Sequence, residues 1–371
     1  MSSQPRQKIL PFFLPMSACP HRCVYCDQFA ITGQPQAPSP LQVHRALQEF
    51  SGGSEAELAY YGGSFSCLPR LRQQEYLLAA QEALAAGRIG GIRISTRPDA
   101  VDADTCAFLR SWGVTTVELG IQSFAEPVLQ SSGRGYGAEE AAEACRRVKD
   151  FGFRLGIQLM TGLPQDRDEW DRASLRQSLA LRPDLLRIYP TLVLKNTELA
   201  RLYQQGAYQP QSLEAAVRLC AELLAMATAA GCPVQRIGLN PSPDLEAALL
   251  AGPYHPALGG LVREALRLGQ VRHLLRDVDA SRPALLRFPP RELPLLYGQK
   301  RAGLLALQRN FPLLSLSAEP QLPPGTLLWE QGENKQLLAE EDFCRSWAAE
   351  LERQDKAGQS HALPGNAPKD N

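Results

Sequence analysis

Cys19-Pro20-His21-Arg22-Cys23-Val24-Tyr25-Cys26 places three cysteines at C-x3-C-x2-C spacing, with an aromatic residue directly before the last. Three thiolates are one fewer than a cubane iron–sulfur cluster needs for saturation. A cluster held this way keeps one iron open, as a catalytic metal keeps a position for its substrate. Two other readings use the same cysteines. Together with His21 they form the donor set of a Cys3His zinc site. His21, however, sits inside the first cysteine interval, where it is poorly placed to join the other three around one ion. No second cysteine pair follows at zinc-ribbon spacing. The remaining reading is three buried, unligated core thiols.

Outward from this loop, short β-rich runs alternate with helical patterns. Ile9–Met16 precedes the cysteines and reads as a strand interrupted by Pro11 and Pro15. Further strands are predicted at Leu58–Tyr61, Gly91–Thr96, Thr115–Gly120, Arg154–Thr161 and Leu185–Tyr189. Helices are predicted at Leu41–Phe50, Arg70–Ala86, Asp102–Trp112, Ala138–Phe151, Glu169–Leu181 and Leu213–Ala230. Ser39 and Pro40 form a cap and first-turn pair for the first of these, and Gly87, Gly113 and Gly152 supply stops. Six β-then-α units in a row predict a parallel sheet with right-handed crossovers. An open sheet and a partial barrel both satisfy that pattern. In either, ligands collect outside the carboxyl ends of the strands.

The motifs fall at those ends. Tyr60-Tyr61-Gly62-Gly63-Ser64-Phe65 closes the second strand, where glycines let backbone approach a ligand. Ser95-Thr96-Arg97-Pro98-Asp99 closes the third, and Val117-Glu118-Leu119-Gly120-Ile121-Gln122-Ser123-Phe124 the fourth. Glu118 in an apolar strand is costly to bury unpaired, and Arg97 and Arg154 are the partners considered for it. Gly156–Pro164 ends the fifth strand. Arg187–Thr197, with Tyr189 and Lys195 as candidate substrate contacts, follows the sixth.

With these motifs in order, the chain resembles the radical S-adenosylmethionine (SAM) superfamily. It looks most like the branch of the Elongator catalytic subunit, related to the oxygen-independent coproporphyrinogen oxidase. The resemblance covers roughly the first 240 residues. It implies a partial (β/α)6 barrel with a C-terminal α-rich extension. It implies a [4Fe-4S] cluster on Cys19, Cys23 and Cys26, and S-adenosyl-L-methionine as cofactor, cleaved reductively to a 5'-deoxyadenosyl radical. It further implies SAM contacts from Gly62, Gly63, Ser64, Thr96, Glu118, Gln122 and Ser123, with Glu118 on the ribose. An electron donor such as flavodoxin or ferredoxin is the implied partner. The acetyl-coenzyme A loop of the Elongator branch finds no match here. Gly298-Gln299-Lys300-Arg301-Ala302-Gly303 has its glycine at the wrong offset, so acetyl transfer does not carry over.

The expected domains are a radical SAM core over 1–240, an extension over 241–350 that is a candidate for substrate binding, and a disordered tail over 351–371. Nine Lys/Arg between Arg263 and Arg301 against Glu264, Asp277, Asp279 and Glu292 form a local basic excess. That excess suits either a phosphate backbone or a solvated helical face. The whole chain is neutral, with 39 basic and 39 acidic residues, and exerts no global pull on nucleic acid or anionic membrane. Its 44% hydrophobic content fits a globular core. No apolar run spans a bilayer, and nine scattered cysteines speak for a reducing, cytoplasmic setting. The substrates in competition are a tRNA base and a porphyrinogen-like small molecule. A non-catalytic, metal-stabilised RNA-binding module is the alternative to an enzyme.

Overall fold

The computed structural model describes residues 8–14, 19, 23–33 and 36–360. The chain divides into two compact units, 1–216 with 232–256, and 217–231 with 257–371. The expected boundary at 240 is thereby shifted. Residues 241–256 return to the first unit, and 217–231, most of which lie in the helix Leu213–Ala229, belong to the second.

The first unit is built on seven parallel strands: β1 Ile9–Leu14, β2 Glu57–Gly62, β3 Gly91–Thr96, β4 Val114–Gln122, β5 Arg154–Thr161, β6 Leu185–Pro190 and β7 Val234–Ile237. They pair in chain order from β1 to β7, the arrangement of a half-barrel. Six strands match the six anticipated. β7 is additional, and it pairs with β6 through Leu186↔Val234 and Ile188↔Ile237. Pro11 is tolerated because β1 is an edge strand. The first helix, Pro40–Glu49, starts on a capping box in which the Ser39 hydroxyl accepts from the Gln42 N–H and the Gln42 side chain accepts from the Ser39 N–H.

Two faces of the sheet differ in chemistry. Leu58, Tyr60, Ile92, Ile94, Val117, Leu119, Leu155, Ile157, Leu186 and Ile188 are buried on one face. The alternate residues Glu57, Arg93, Thr116, Glu118, Gln158 and Arg187 occupy the other, at the period of two that a strand imposes. Fully buried Arg93 donates to Glu57 at 2.8 Å from Nε and to Glu118 at 2.6 Å from Nη1. Thr116 donates to Glu57 Oε1 at 2.6 Å. Arg187 Nε donates to Glu118 Oε2 at 2.7 Å. Two carboxylates and two guanidiniums thus neutralise one another inside the half-barrel. Pairing of this kind is what makes buried charge tolerable.

The second unit holds β8 Ala284–Phe288, β9 Leu314–Ala318, β10 Thr326–Gln331 and β11 Asn334–Ala339 in the order β9-β8-β10-β11, with β8 and β9 parallel. The extension is therefore helical, as expected, with a mixed sheet added. The helix Glu340–Ser360 occupies the first ten residues of the expected disordered tail, and 361–371 lie outside the described residues. Glycines 298 and 303 serve a helix junction here. Gly298 has φ +67 just after the helix Leu293–Tyr297, and a β-carbon on Gly303 would lie 2.7 Å from the Leu296 carbonyl. Among the described residues no helix is long and apolar enough to cross a membrane.

Candidate active site

A cavity of about 650 Å³ opens at the carboxyl ends of the seven strands, a size ordinary for a small-molecule cofactor site. Cys19, Cys23 and Cys26 all line it, on the loop between β1 and the short helix Gln28–Thr32. The Cys26 N–H donates to the Cys23 carbonyl at 3.1 Å, which closes a tight turn between those two thiols. His21 lies outside the described residues. Burial first, then the neighbouring Cys23, pushes the Cys26 thiol up to about 12. Cys23 is met by two guanidiniums: Arg134 Nη1 donates to its sulfur at 2.9 Å and Arg97 Nη1 lies at 3.9 Å. Arg134 is itself fixed by the Tyr136 hydroxyl and the Gly120 carbonyl. Buried cations beside a thiol are the environment an anionic thiolate centre requires. Cys67 is a neighbour of this group: burial, then nearby Cys19, raises its thiol above the usual range.

Other sequence-predicted residues gather at the same cavity. Gly62, Gly63, Ser64, Thr96, Glu118 and Gln122 line it. Gly62 has φ +99, a conformation open to glycine and closed to most side chains. Ser64 Oγ lies 3.5 Å from Cys19 Sγ. Thr96 Oγ1 pairs with Ser66 Oγ across the second and third strand ends. Ser123 stands apart: it is 1% exposed, lies outside the cavity lining, and its hydroxyl meets Ser174 and the Ala125 N–H. Glu118 pairs with Arg93 and Arg187 rather than with Arg97 or Arg154, and Arg97 pairs with Asp99 instead. Tyr189 lines the cavity, whereas Lys195 does not and donates to the Ala247 carbonyl.

Two wall residues, Arg134 and Arg236, escaped the sequence reading, whereas Tyr61, Gln158, Met160 and Arg187 lay within motifs read there but were given no role of their own. Gly156 has a packing role: a β-carbon there would lie 2.7 Å from Glu118 Cγ, so the bare backbone of β5 makes room for the carboxylate arm.

Comparison with known proteins gives the family. Residues 13–175 match the Radical SAM superfamily model, and 183–267 match the Radical_SAM C-terminal domain. The chain belongs to the radical SAM superfamily. It is an enzyme of the kind that holds a [4Fe-4S] cluster and SAM. Three cavity-lining thiols, with guanidiniums beside Cys23, have the donor chemistry of such a cluster, while among the described residues no three His, Cys, Asp or Glu side chains are gathered as a metal site. Among curated proteins, it is 27% identical over 246 residues to a tRNA uridine(34) acetyltransferase of Dehalococcoides mccartyi, covering 56% of this chain and 54% of that protein. It is 29% identical over 192 residues to Elongator complex protein 3 of Mus musculus, covering 46% of this chain and 35% of that protein. The chain thus spans from about a third to about half of the length of these relatives. An archaeal Elp3 from Methanocaldococcus infernus with an N-terminal deletion shares the fold, with a TM-score of 0.57, 21% identity and coverage of 70% of this chain and 62% of that one.

Proposed function

We propose that this radical SAM enzyme acts on a tRNA base. The observation that carries the reading is the stretch matched to the tRNA uridine(34) acetyltransferase, 246 residues long in a chain whose cofactor cavity is built from residues 9–242. The cluster and SAM together supply a carbon-centred radical when bound. Everything else falls to the chain's own side chains. Cys19, Cys23 and Cys26 hold the cluster. Arg134 and Arg97 set the charge around Cys23. Gly62, Gly63 and Ser64 offer backbone and hydroxyl groups to the methionine end of SAM, and Thr96 and Gln122 offer polar groups further along the wall. Glu118 contributes from within its ion-pair network, where it orients Arg187 and Tyr61 toward the cavity. Tyr189 and Tyr61, the latter with the Arg187 guanidinium over its ring, line the cavity and supply aromatic surface beside which a base can stack. Ile9, Phe13, Leu192 and Leu194 make the remaining wall apolar. That wall would keep water away from the reacting groups.

The electron enters from a small reducing protein of the flavodoxin or ferredoxin kind. Acetyl transfer is no part of the proposal, because the chain spans only about half of that acetyltransferase's length. The test is a comparison of modified nucleosides in tRNA from a strain deleted for this gene with tRNA from its parent. Loss of one modified nucleoside on deletion, restored by the wild-type gene and not by Cys23→Ser, supports the reading. Unchanged nucleosides overturn it and leave the porphyrinogen-like substrate as the next candidate.

A further inference from the structure

The charges on the cavity wall do not cancel, and the surplus falls on Arg134 and Arg236, neither of which is paired with a carboxylate. Glu118 is shared between Arg93 and Arg187. Arg97 is held by Asp99. Arg134 is turned to Cys23, Tyr25, Tyr136 and the Gly120 carbonyl. Arg236, on β7, is different. Its Nε donates to the Gly238 carbonyl at 2.9 Å, and among the described residues its two Nη groups meet no acceptor. Burial depresses its affinity for its proton; Tyr189 opposes this, and the repulsion of nearby Arg187 adds a smaller push in the same direction as burial. A guanidinium remains charged under such conditions, so a half-buried cation faces the cavity without a counter-ion.

The surroundings suit an anion with several oxygens. Asn240 and Ser242 follow on the same wall, and both line the cavity. The Ser242 oxygen accepts from the Leu245 N–H, which leaves its O–H to donate outward. Tyr189 lies on the neighbouring strand β6 and also faces the cavity. Arg236 is half-buried while Arg93 is fully buried and Arg187 nearly so, which puts it nearest to solvent of the three.

We propose that Arg236, with Asn240 and Ser242, grips a backbone phosphate of the RNA substrate beside the nucleotide whose base enters the cavity toward Tyr189. A planar guanidinium with free Nη–H groups matches phosphate oxygens in a charge-assisted, two-pronged contact. Contacts of this type position a nucleic acid without reading its sequence, leaving selection of the base to the cavity. This rests on the tRNA reading above and extends it to a specific contact.

The test is filter binding of unmodified tRNA across a salt series, using anaerobically reconstituted full-length protein, with wild type, Arg236→Gln and Arg236→Lys. Iron content and SAM affinity are measured on the same samples. Arg236→Gln is expected to weaken tRNA binding about tenfold at low salt, the scale of one charge-assisted contact. It should also flatten the log–log salt slope by about 0.7–0.9, the share of one phosphate. Arg236→Lys should recover the slope and part of the affinity, with iron and SAM binding unchanged throughout. If wild type binds tRNA and Arg236→Gln binds it with the same affinity and slope, this inference falls while the tRNA reading stands. If Arg236→Gln instead loses SAM affinity with tRNA binding intact, Arg236 belongs to the cofactor and the inference is overturned. If wild type itself fails to bind tRNA at low salt, both fall together.

Discussion

Glu118 shows how one side chain serves both structure and site. Its two oxygens take donors from Arg93 and Arg187, and it is 4% exposed. Removing one member of such a network leaves the others as uncompensated buried charge, a loss of about 3–5 kcal/mol. Glu118→Ala should therefore lower the unfolding free energy by that amount, read from denaturant melts, before any effect on SAM is visible. A melt identical to wild type would show that the network carries no weight. Gly156→Ala should act on the same carboxylate from β5, since the new methyl group would crowd Glu118 Cγ. Overpacking of this kind costs about 1–3 kcal/mol. The cysteines give a sharper contrast. Cys23→Ser should abolish iron loading, because a hydroxyl is a poor substitute for thiolate toward iron–sulfur chemistry. Cys67→Ser, although close to Cys19, should keep its iron, and iron quantified after anaerobic reconstitution separates the two.

At the scale of elements, the loop that follows β5 carries a titrating pair. Asp166 and Asp171 face each other, the latter on the helix Asp168–Ala180, and each has one carboxyl oxygen without a hydrogen-bond partner. Burial raises Asp166 to about 6, with Asp168 adding to the effect against hydrogen bonds that oppose it, and burial followed by Asp166 raises Asp171 further. A raised carboxylate binds more protons folded than unfolded. Its favourable share is present below about pH 4 and is lost as pH rises through about 6. Asp166→Asn should therefore raise Tm relative to wild type by about 2–4 °C near pH 8 and by less near pH 5, as thermal melts would show. An equal shift at both pH values would refute the assignment.

The same scale explains what the sequence made legible. Helix limits followed from caps and stops, so Pro40–Glu49, Arg70–Ala85 and Ala138–Asp150 lie within a residue of expectation at each end. The cysteine loop and the Gly62-Gly63 turn were legible because their residue types have few other uses. The strands were harder. Both faces are buried, so Glu118 looked like a single anomaly in an apolar run. Seen across five strands, Glu57, Arg93, Glu118, Gln158 and Arg187 form a polar inner lining at period two. Arg134 and Arg236 could not be found locally, because they meet the site only through the fold.

For the whole molecule, the second unit alters the expectation about RNA. Arg267 is buried between Glu292 and Glu340, Arg287 pairs with Glu319 and Glu330, and Arg276 pairs with Asp277. The basic excess seen in the sequence is thus partly neutralised by carboxylates within and beyond the stretch, and among the described side chains exposed Arg263, Arg272, Arg282, Arg291 and Arg301 remain. Substituting Arg287 would break an ion-pair cluster rather than simply remove surface charge. Replacing Arg272 and Arg282 with glutamate is the cleaner change. It should weaken tRNA binding in low salt, by filter binding, with no change in iron content.

The central claim is that radical generation in this cavity is directed at tRNA. The most direct measurement is the rate of 5'-deoxyadenosine release from SAM by the reduced, reconstituted protein, with and without unmodified tRNA. The account predicts that tRNA accelerates release severalfold, that the deoxyadenosine formed is matched by a modified nucleoside in the RNA, and that Cys23→Ser releases none. Release at the same slow rate whether or not tRNA is present, with the RNA unaltered, would contradict it.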